Sequence, residues 1–395
     1  MRKTPKVMLL FENSRRFDRA LTMGIARYAR SHGPWAFYKT PVFYLREANV
    51  DNSKKLLEMI KSLQLDGIIM REVPRIDKII DLGIPIIVSP YTKEQMRGIA
   101  VIVGNMEADG CMAAEHLLEC GLKNFAYCGY RGFVGFRLRG EGFAKRVAKA
   151  GFETNIYKQP DSQAQRDWAK EQLIMADWLK SLPKPVGIMT CTDERGENVI
   201  EACRIANVYI PEEVAVVGVD NDALICDLTM PPLSSVALND EKTGFKAAEL
   251  LEKLMNGQKP KTQSITLAPT HVVRRQSTDT LAVEDHDVVE AVKFIRNNAL
   301  EPIQIKDVVN SVATTRRSLQ RRFHATLGCS IFDEIMRVRI ESACRMLVET
   351  THPISEISLK IGHSDIYHIH RWFKKIKGMT PLAYRKKYGQ HDRFH

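Results

Sequence analysis

A chain of 395 residues is too long for one ordinary core and fits two or three domains. Its 44% hydrophobic content excludes a disordered chain, and no apolar stretch nears the ~20 residues of a membrane span. The net charge of +11 is uneven: from His286 onward 19 Lys and Arg face 11 Asp and Glu, leaving +3 for everything before. A basic C-terminal segment of this kind points to a polyanion, most often nucleic acid.

The eight cysteines show no CxxC pair and no zinc spacing, and a chain of this size needs no disulfide framework, so reduced, mostly buried thiols are expected. The opening MRKTPKVMLLFENSRR sets basic residues before an apolar run, but VMLLF is too short for a secretion-signal core. A cytoplasmic protein without cofactor or metal is expected.

From residue 6 to about 275, apolar runs of strand length (KVMLLF, DGIIM, PIIVSP, NFAYCGY, VGIMTC, VAVVGVD) alternate with helical patterns such as RALTMGIARYARSHG and GCMAAEHLLECG. Short unalternating runs read as strands buried on both faces, with the helices as the crossovers that parallel strands require. Two open α/β units are predicted. In such sheets ligands sit beyond the carboxyl ends of the strands, which singles out the polar residues after LLF, YCGY, MTC and VVGV.

The stretch HVVRRQSTDTLAVEDHD is polar and lacks a helical period, so a linker is placed at 276–287. Every later segment reads as helical, and IKDVVNSVATTRRSLQRRFHATLGCS can be laid over ISEISLKIGHSDIYHIHRWFKKIKGMT with one extra residue in the second turn. In each copy a short helix ends at Ala313 or Gly362 and a second opens at Thr315 or Ser364, residue types that cap helix N-termini. Helix-turn-helix units of this kind place the second helix in the DNA major groove. Leu319 with Phe323, and Ile369 with Phe373, form the buried stripes. Arg316, Arg317, Gln320 and Arg321 are left as a reading surface, since arginine bonds guanine and glutamine bonds adenine bidentately. The matching face of the second unit offers Ile366, Tyr367, His370 and Arg371. Between the units, Met336, Ile340, Ala343 and Leu347 recur on one stripe of a single long helix.

Residues 288–395, with SLQRRF, ISEISLKIGHSD and RWFKKIKGMTPLAYRK, resemble the DNA-binding domain of the arabinose-regulator family of transcription factors. The resemblance implies two helix-turn-helix units on adjacent major-groove segments of promoter repeats. His363 departs from the aromatic usual after Gly362.

Residues 1–275 resemble the sensor of the lactose-repressor and ribose-binding family, on IPEEVAVVGVD, PPLSSV, the following GFKAAELL helix, AAEHLLECG and RLRGEGF. The resemblance implies a two-lobed, periplasmic-binding-protein-like fold that holds a sugar between its lobes. It assigns sugar contacts to Phe17 and Asp18 after the first strand, to Arg139, and to the acids Asp193 and Asp220. It makes Trp168 an aromatic platform and puts Asn105 where an acid is common, while Thr192 replaces a usual asparagine. Charged groups for hydroxyl pairs and an aromatic face are what sugar recognition requires.

A sensor of the one family before a reader of the other implies a sugar-responsive activator of pentose catabolism genes, with D-xylose as effector, RNA polymerase as partner and a homodimer on DNA. The alternatives are a sugar-processing enzyme or a non-regulatory sugar-binding protein. Against the enzyme, the sequence holds no phosphate loop, GxGxxG, metal-spaced histidines or nucleophile elbow, and eight of eleven histidines lie at or beyond His286.

Overall fold

The computed structural model describes the chain except residues 1–3, 13, 40–51, 74, 91–95, 97, 161–166, 281–284, 363–365 and 390–395, and the side chains of 52–54 and 366–368. It begins with β1 (Lys6–Leu10), α1 (Arg16–His32), β2 (Ala36–Lys39), α2 (Asn52–Leu63), β3 (Gly67–Arg71), α3 (Asp77–Ile80), β4 (Ile86–Ser89) and β5 (Ala100–Gly104). The chain then crosses to a second lobe as α4 (Met106–Glu119), β6 (Asn124–Cys128), α5 (Val134–Lys149), β7 (Thr154–Ile156), α6 (Trp168–Ser181), β8 (Val186–Thr190), α7 (Asp193–Ala206), β9 (Val214–Val219), α8 (Ala223–Leu228) and β10 (Ser234–Leu238). It returns to the first lobe as α9 (Asp240–Met255) and β11 (Ser264–Leu267), and crosses again as β12 (Pro269–Val273).

The first sheet runs β11-β5-β4-β3-β1-β2, with every pair parallel. The second runs β12-β10-β9-β8-β6-β7, with β12 antiparallel at its edge. The apolar runs that mark these strands are buried along their length, as in VGIMT of β8 and VAVVGV of β9, because helices cover both faces of a parallel sheet. This is the predicted pair of α/β units. The three crossings are strapped to one another. Asn105 N donates to Leu267 O at 2.7 Å, Asn239 N to Ala268 O at 3.1 Å, and Ala268 N to the Asn239 side chain at 2.7 Å.

The polar segment from 276 starts inside the second lobe. Gln276–Thr278 forms one 3-10 turn in which Ser277 and Thr278 are buried, and the Ser277 hydroxyl donates to Val216 O at 2.7 Å. The reader follows as α10 (His286–Asn298), α11 (Ile305–Asn310), α12 (Arg316–Leu327), α13 (Ile331–Glu349), α14 (Ile354–Lys360), α15 (Ile366–Lys377) and α16 (Pro381–Tyr388). Helix α13 serves two cores. Ile331 and Ile335 pack with Leu319 and Phe323 of the first unit, whereas Ile340, Ala343 and Leu347 pack with Ile369 and Phe373 of the second. Buried Arg339 between them donates to Ala299 O at 2.6 Å and Glu301 O at 2.8 Å, closing the end of α10. No helix among the described residues is long and apolar enough to cross a membrane.

Candidate functional site

A cavity of about 220 Å³ lies between the lobes, at the carboxyl ends of both sheets. Its walls bring together residues far apart in sequence: Phe17 and Arg71 from the first lobe, Arg139, Asp193 and Asp220 from the second. Helix α5 carries Arg139 into the cavity wall. There its Nε donates to Asp109 at 2.8 Å, one terminal nitrogen to Cys191 O at 2.5 Å and the other to Asp220 at 3.4 Å. Asp193 opens α7 after β8. It accepts the Ser235 hydroxyl at 2.5 Å and the Asp222 N–H at 2.6 Å. Asp220 follows β9 with φ 104° and Asn221 with φ 52°, conformations that cost a side-chain-bearing residue ~1–3 kcal/mol each. They persist because Asn221 N donates to Ser235 at 2.9 Å and Arg275 donates to the Asn221 side chain at 3.0 Å. The strain holds the Asp220 carboxylate against Arg139.

Burial raises the carboxyls of the site. Asp109 and Asp220 rise to about 6 despite the nearby Arg139 charge, and Asp240 at the second crossing rises to about 7 despite Arg16. Asp193 is held well above its ordinary value by burial and by the Asp220 charge. Burial works against the Arg139 charge as well, but Asp109 and Asp220 more than offset it and keep the guanidinium charged. One oxygen each of Asp109 and Asp240 is buried without a partner. A small space lined by charge-rich acceptors, guanidinium donors and the aromatic rings of Phe17, Phe133 and Phe136 suits a polyhydroxylated ligand.

Of the other positions in the expected sugar set, Thr192 reaches this cavity and Asp18, Asn105 and Trp168 sit elsewhere. Asp18 is fully buried behind the wall, accepting Arg71 Nε at 2.6 Å and Glu12 N at 2.9 Å. It aims Arg71, whose guanidinium lies 4.4 Å from the Phe17 ring centre. Asn105 caps α4 by accepting the Ala108 N–H at 3.3 Å, and its place is the first crossing rather than the cavity wall. Thr192 lines the cavity and caps α7, accepting the Arg195 N–H at 3.3 Å. Trp168 does not reach this cavity. It borders a neighbouring one, 60% exposed, with its indole N–H on Asn198 at 3.0 Å.

The sequence reading passed over Arg71, Arg16, Asp109 and Asp240. Arg71 was within reach, since it directly follows the buried run DGIIM at a strand's carboxyl end. Arg16 joins the lobes by donating to Asp220 O at 2.8 Å and to Asp240 at 2.6 Å. Three residues along α1, Arg19 donates to Asp222 of the second lobe at 2.8 Å.

In the reader, Thr315 caps α12 by accepting the Ser318 N–H at 3.3 Å, and Gly328 ends it with φ 69°. Leu319 and Phe323 are buried, while Arg316, Arg317, Gln320 and Arg321 are exposed. Arg322 faces the other way and pairs with Asp285 and, at 2.7 Å, with Asp287. In the second unit Ile369 and Phe373 are buried, His370 is half-buried and Arg371 is exposed. Ile366 and Tyr367 open α15. Their side chains, with His363 and Ser364, lie outside the described residues.

Reader and sensor touch at both lobes. Tyr384 of α16 donates to Thr270 O on β12, and Lys242 of α9 donates to Lys386 O on α16. Arg337 of α13 donates to Glu119, the last residue of α4, at 2.8 Å.

Fold and site define a two-lobed ligand sensor built in one chain with a double helix-turn-helix reader. A family model for a periplasmic binding protein-like domain matches residues 114–278, and one for a helix-turn-helix domain matches residues 308–387. The chain is 30% identical over 392 residues to the xylose operon regulatory protein of Escherichia coli K12, covering 97% of each. It is 31% identical over 389 residues to that of Haemophilus influenzae, covering 96% of this chain and 98% of the relative. The solved structure of the xylose-binding transcription activator XylR superposes with a TM-score of 0.61 at 27% identity, covering 98% of this chain and 99% of that one. The chain belongs to the xylose operon regulatory protein family and is a sugar-responsive, DNA-binding transcription regulator.

Proposed function

We propose that the chain activates genes of pentose catabolism in the cytoplasm, binding D-xylose between its lobes and promoter repeats through α12 and α15, with no turnover of the sugar. The observation that carries this is the convergence of Arg139, Asp193, Asp220 and Phe17 on one interlobe cavity, in a chain whose relatives are named for the xylose operon. Sugar hydroxyls bond the Asp220 and Arg139 side chains, the ring's C–H face packs on Phe17, and Arg71 is held ready by Asp18. Bridging of the two lobes by one ligand favours the closed conformer, and differential affinity for the two conformers is what drives the switch.

Two reading units on one chain match adjacent groove segments, and two chains on repeated sites make the homodimer that recruits RNA polymerase. A thermal-shift screen of the purified protein against pentoses and hexoses tests the ligand assignment, since a tight binder raises apparent stability by mass action. D-Xylose is expected to give the largest shift, and Asp220→Ala to abolish it. A larger shift with a hexose replaces the pentose assignment.

A further inference from the structure

One end of the interlobe cavity is apolar. Val103, Gly104, Met106, Val134, Gly135 and Leu267 line it, and none of them carries a side-chain nitrogen or oxygen. They are contiguous, since Gly104 of β5 pairs with Leu267 of β11 and the Met106 side chain lies against both glycines. A Cβ added at Gly104 collides with Met106 Cε, and one added at Gly135 comes within 3.2 Å of it. The methyl group therefore fills room that exists only because bare backbone stands on both sides. Gly104 ends a strand of the first lobe, Gly135 lies in α5 of the second, and Met106 opens α4 just past the first crossing. A half-buried thioether thus sits between the lobes at the edge of the cavity.

We propose that Met106 is a specificity-determining residue that keeps the site to five-carbon sugars, by closing the room that the hydroxymethyl group of a six-carbon sugar needs. The inference rests on the interlobe sugar assignment. In its pyranose form D-xylose carries a hydroxyl on every ring carbon except C5. The side chains that hold hydroxyls are Arg71, Arg139, Asp193 and Asp220, and those of the apolar end supply neither donor nor acceptor, so the C5 edge turns toward Met106. D-Glucose repeats the D-xylose ring and adds a hydroxymethyl group at C5. The added carbon overpacks against the thioether, and the added hydroxyl loses its water there without gaining a partner. Met106→Ala removes Cγ, Sδ and Cε, which is more than the hydroxymethyl group brings.

Calorimetry on the full-length protein with D-xylose, 6-deoxy-D-glucose and D-glucose, which carry hydrogen, methyl and hydroxymethyl at C5, tests this. The wild type is expected to bind both larger sugars at least about tenfold more weakly than D-xylose. In Met106→Ala that gap closes for 6-deoxy-D-glucose, which binds more tightly than in the wild type while D-xylose loses packing and binds more weakly. Met106→Leu, of similar volume, keeps the wild-type gap, and Met106→Val, which loses less of the side chain than Met106→Ala, gives an intermediate one. Met106 is the first residue of its helix and only half-buried, and thermal melts without sugar confirm that each variant is folded. An unchanged gap in Met106→Ala and Met106→Val, or a wild type that binds 6-deoxy-D-glucose as tightly as D-xylose, overturns the role of Met106 and leaves the interlobe sugar site standing. Binding of none of the three sugars to the wild type overturns the interlobe assignment itself, and this inference with it.

Discussion

Glu119 and Arg337 join the sensor to the reader at 2.8 Å, and Glu119 ends the same helix on which Asp109 holds Arg139 in the interlobe cavity at 2.8 Å. Helix α4 therefore runs from the ligand site to the reader as one rigid element, starting at the first lobe crossing. A shift of α4 on lobe closure is expected to reach α13, the helix both reading units share.

Glu119→Gln is expected to leave sugar affinity unchanged and to reduce the effect of sugar on DNA affinity. The reduction is expected to be about fivefold, because a partly exposed ion pair is worth ~1 kcal/mol. Paired sugar calorimetry and DNA titrations read the two quantities separately. A variant with full sugar response shows that coupling runs through Tyr384 and Lys242 instead.

Sugar affinity is expected to fall as pH drops below about 6. Burial raises Asp109 and Asp220 to about 6, and a carboxylate that accepts from sugar hydroxyls must be ionised. Sugar binding thus favours the deprotonated form and releases protons, and affinity declines by up to about tenfold per pH unit below that value for each of the two carboxyls that ionises. The same raised values make the empty sensor lose stability as pH climbs from the ordinary carboxyl range through about 6, and bound sugar offsets that loss. Calorimetry in buffers of different ionisation heat counts the protons, and pH-independent affinity between 5 and 8 contradicts the assignment.

The four arginines of ATTRRSLQRRF face two ways: Arg316, Arg317 and Arg321 are exposed, while Arg322 pairs with Asp285 and Asp287. Arg321→Ala is expected to cost about 1–3 kcal/mol of specific DNA binding and to relax preference at one base pair. Arg322→Ala is expected to lower thermal stability while base preference is unchanged, since Arg322 ties α12 to Asp285 and Asp287. Binding to a randomised-site library, compared between the variants, separates the roles. Equal loss on cognate and random DNA for Arg321→Ala removes it from the reading surface.

Gly362→Ala is expected to destabilise the reader by about 1–3 kcal/mol. Gly362 has φ 75°, and an added Cβ there meets Leu300 O and Glu301 O at 2.8 Å. The turn of the second unit thus packs on the backbone between α10 and α11. A melt showing no loss of stability means this loop gives way freely.

Much of this fold is written in local sequence signals. Fully apolar runs mark the buried strands and Thr315 marks a cap, while Arg139, Asp193 and Asp220, which line one cavity, are singled out individually only by the resemblance to the sensor family. What stayed hidden depends on distant packing. No local pattern says that α9 and β11 return to the first lobe, since only their contacts with α1 and β5 place them there. Nothing near Arg322 distinguishes it from Arg321, because its partners lie over thirty residues upstream. Trp168 looked like a platform for the interlobe sugar, yet the start of α6 points it to the neighbouring cavity. Asn105 and Asp18 lie in the right stretches but serve as a helix cap and as a brace for Arg71.

A sugar held between the lobes is expected to change how the two reading units bind DNA. Fluorescence anisotropy of the full-length protein on a duplex enriched from a random pool, at one fixed salt concentration with and without saturating D-xylose, tests it most directly. D-Xylose is expected to raise specific affinity several-fold in the wild type and to have no effect in Asp220→Ala, whose unliganded DNA affinity equals that of the wild type. DNA affinity identical with and without sugar, in a protein shown by calorimetry to bind that sugar, contradicts it.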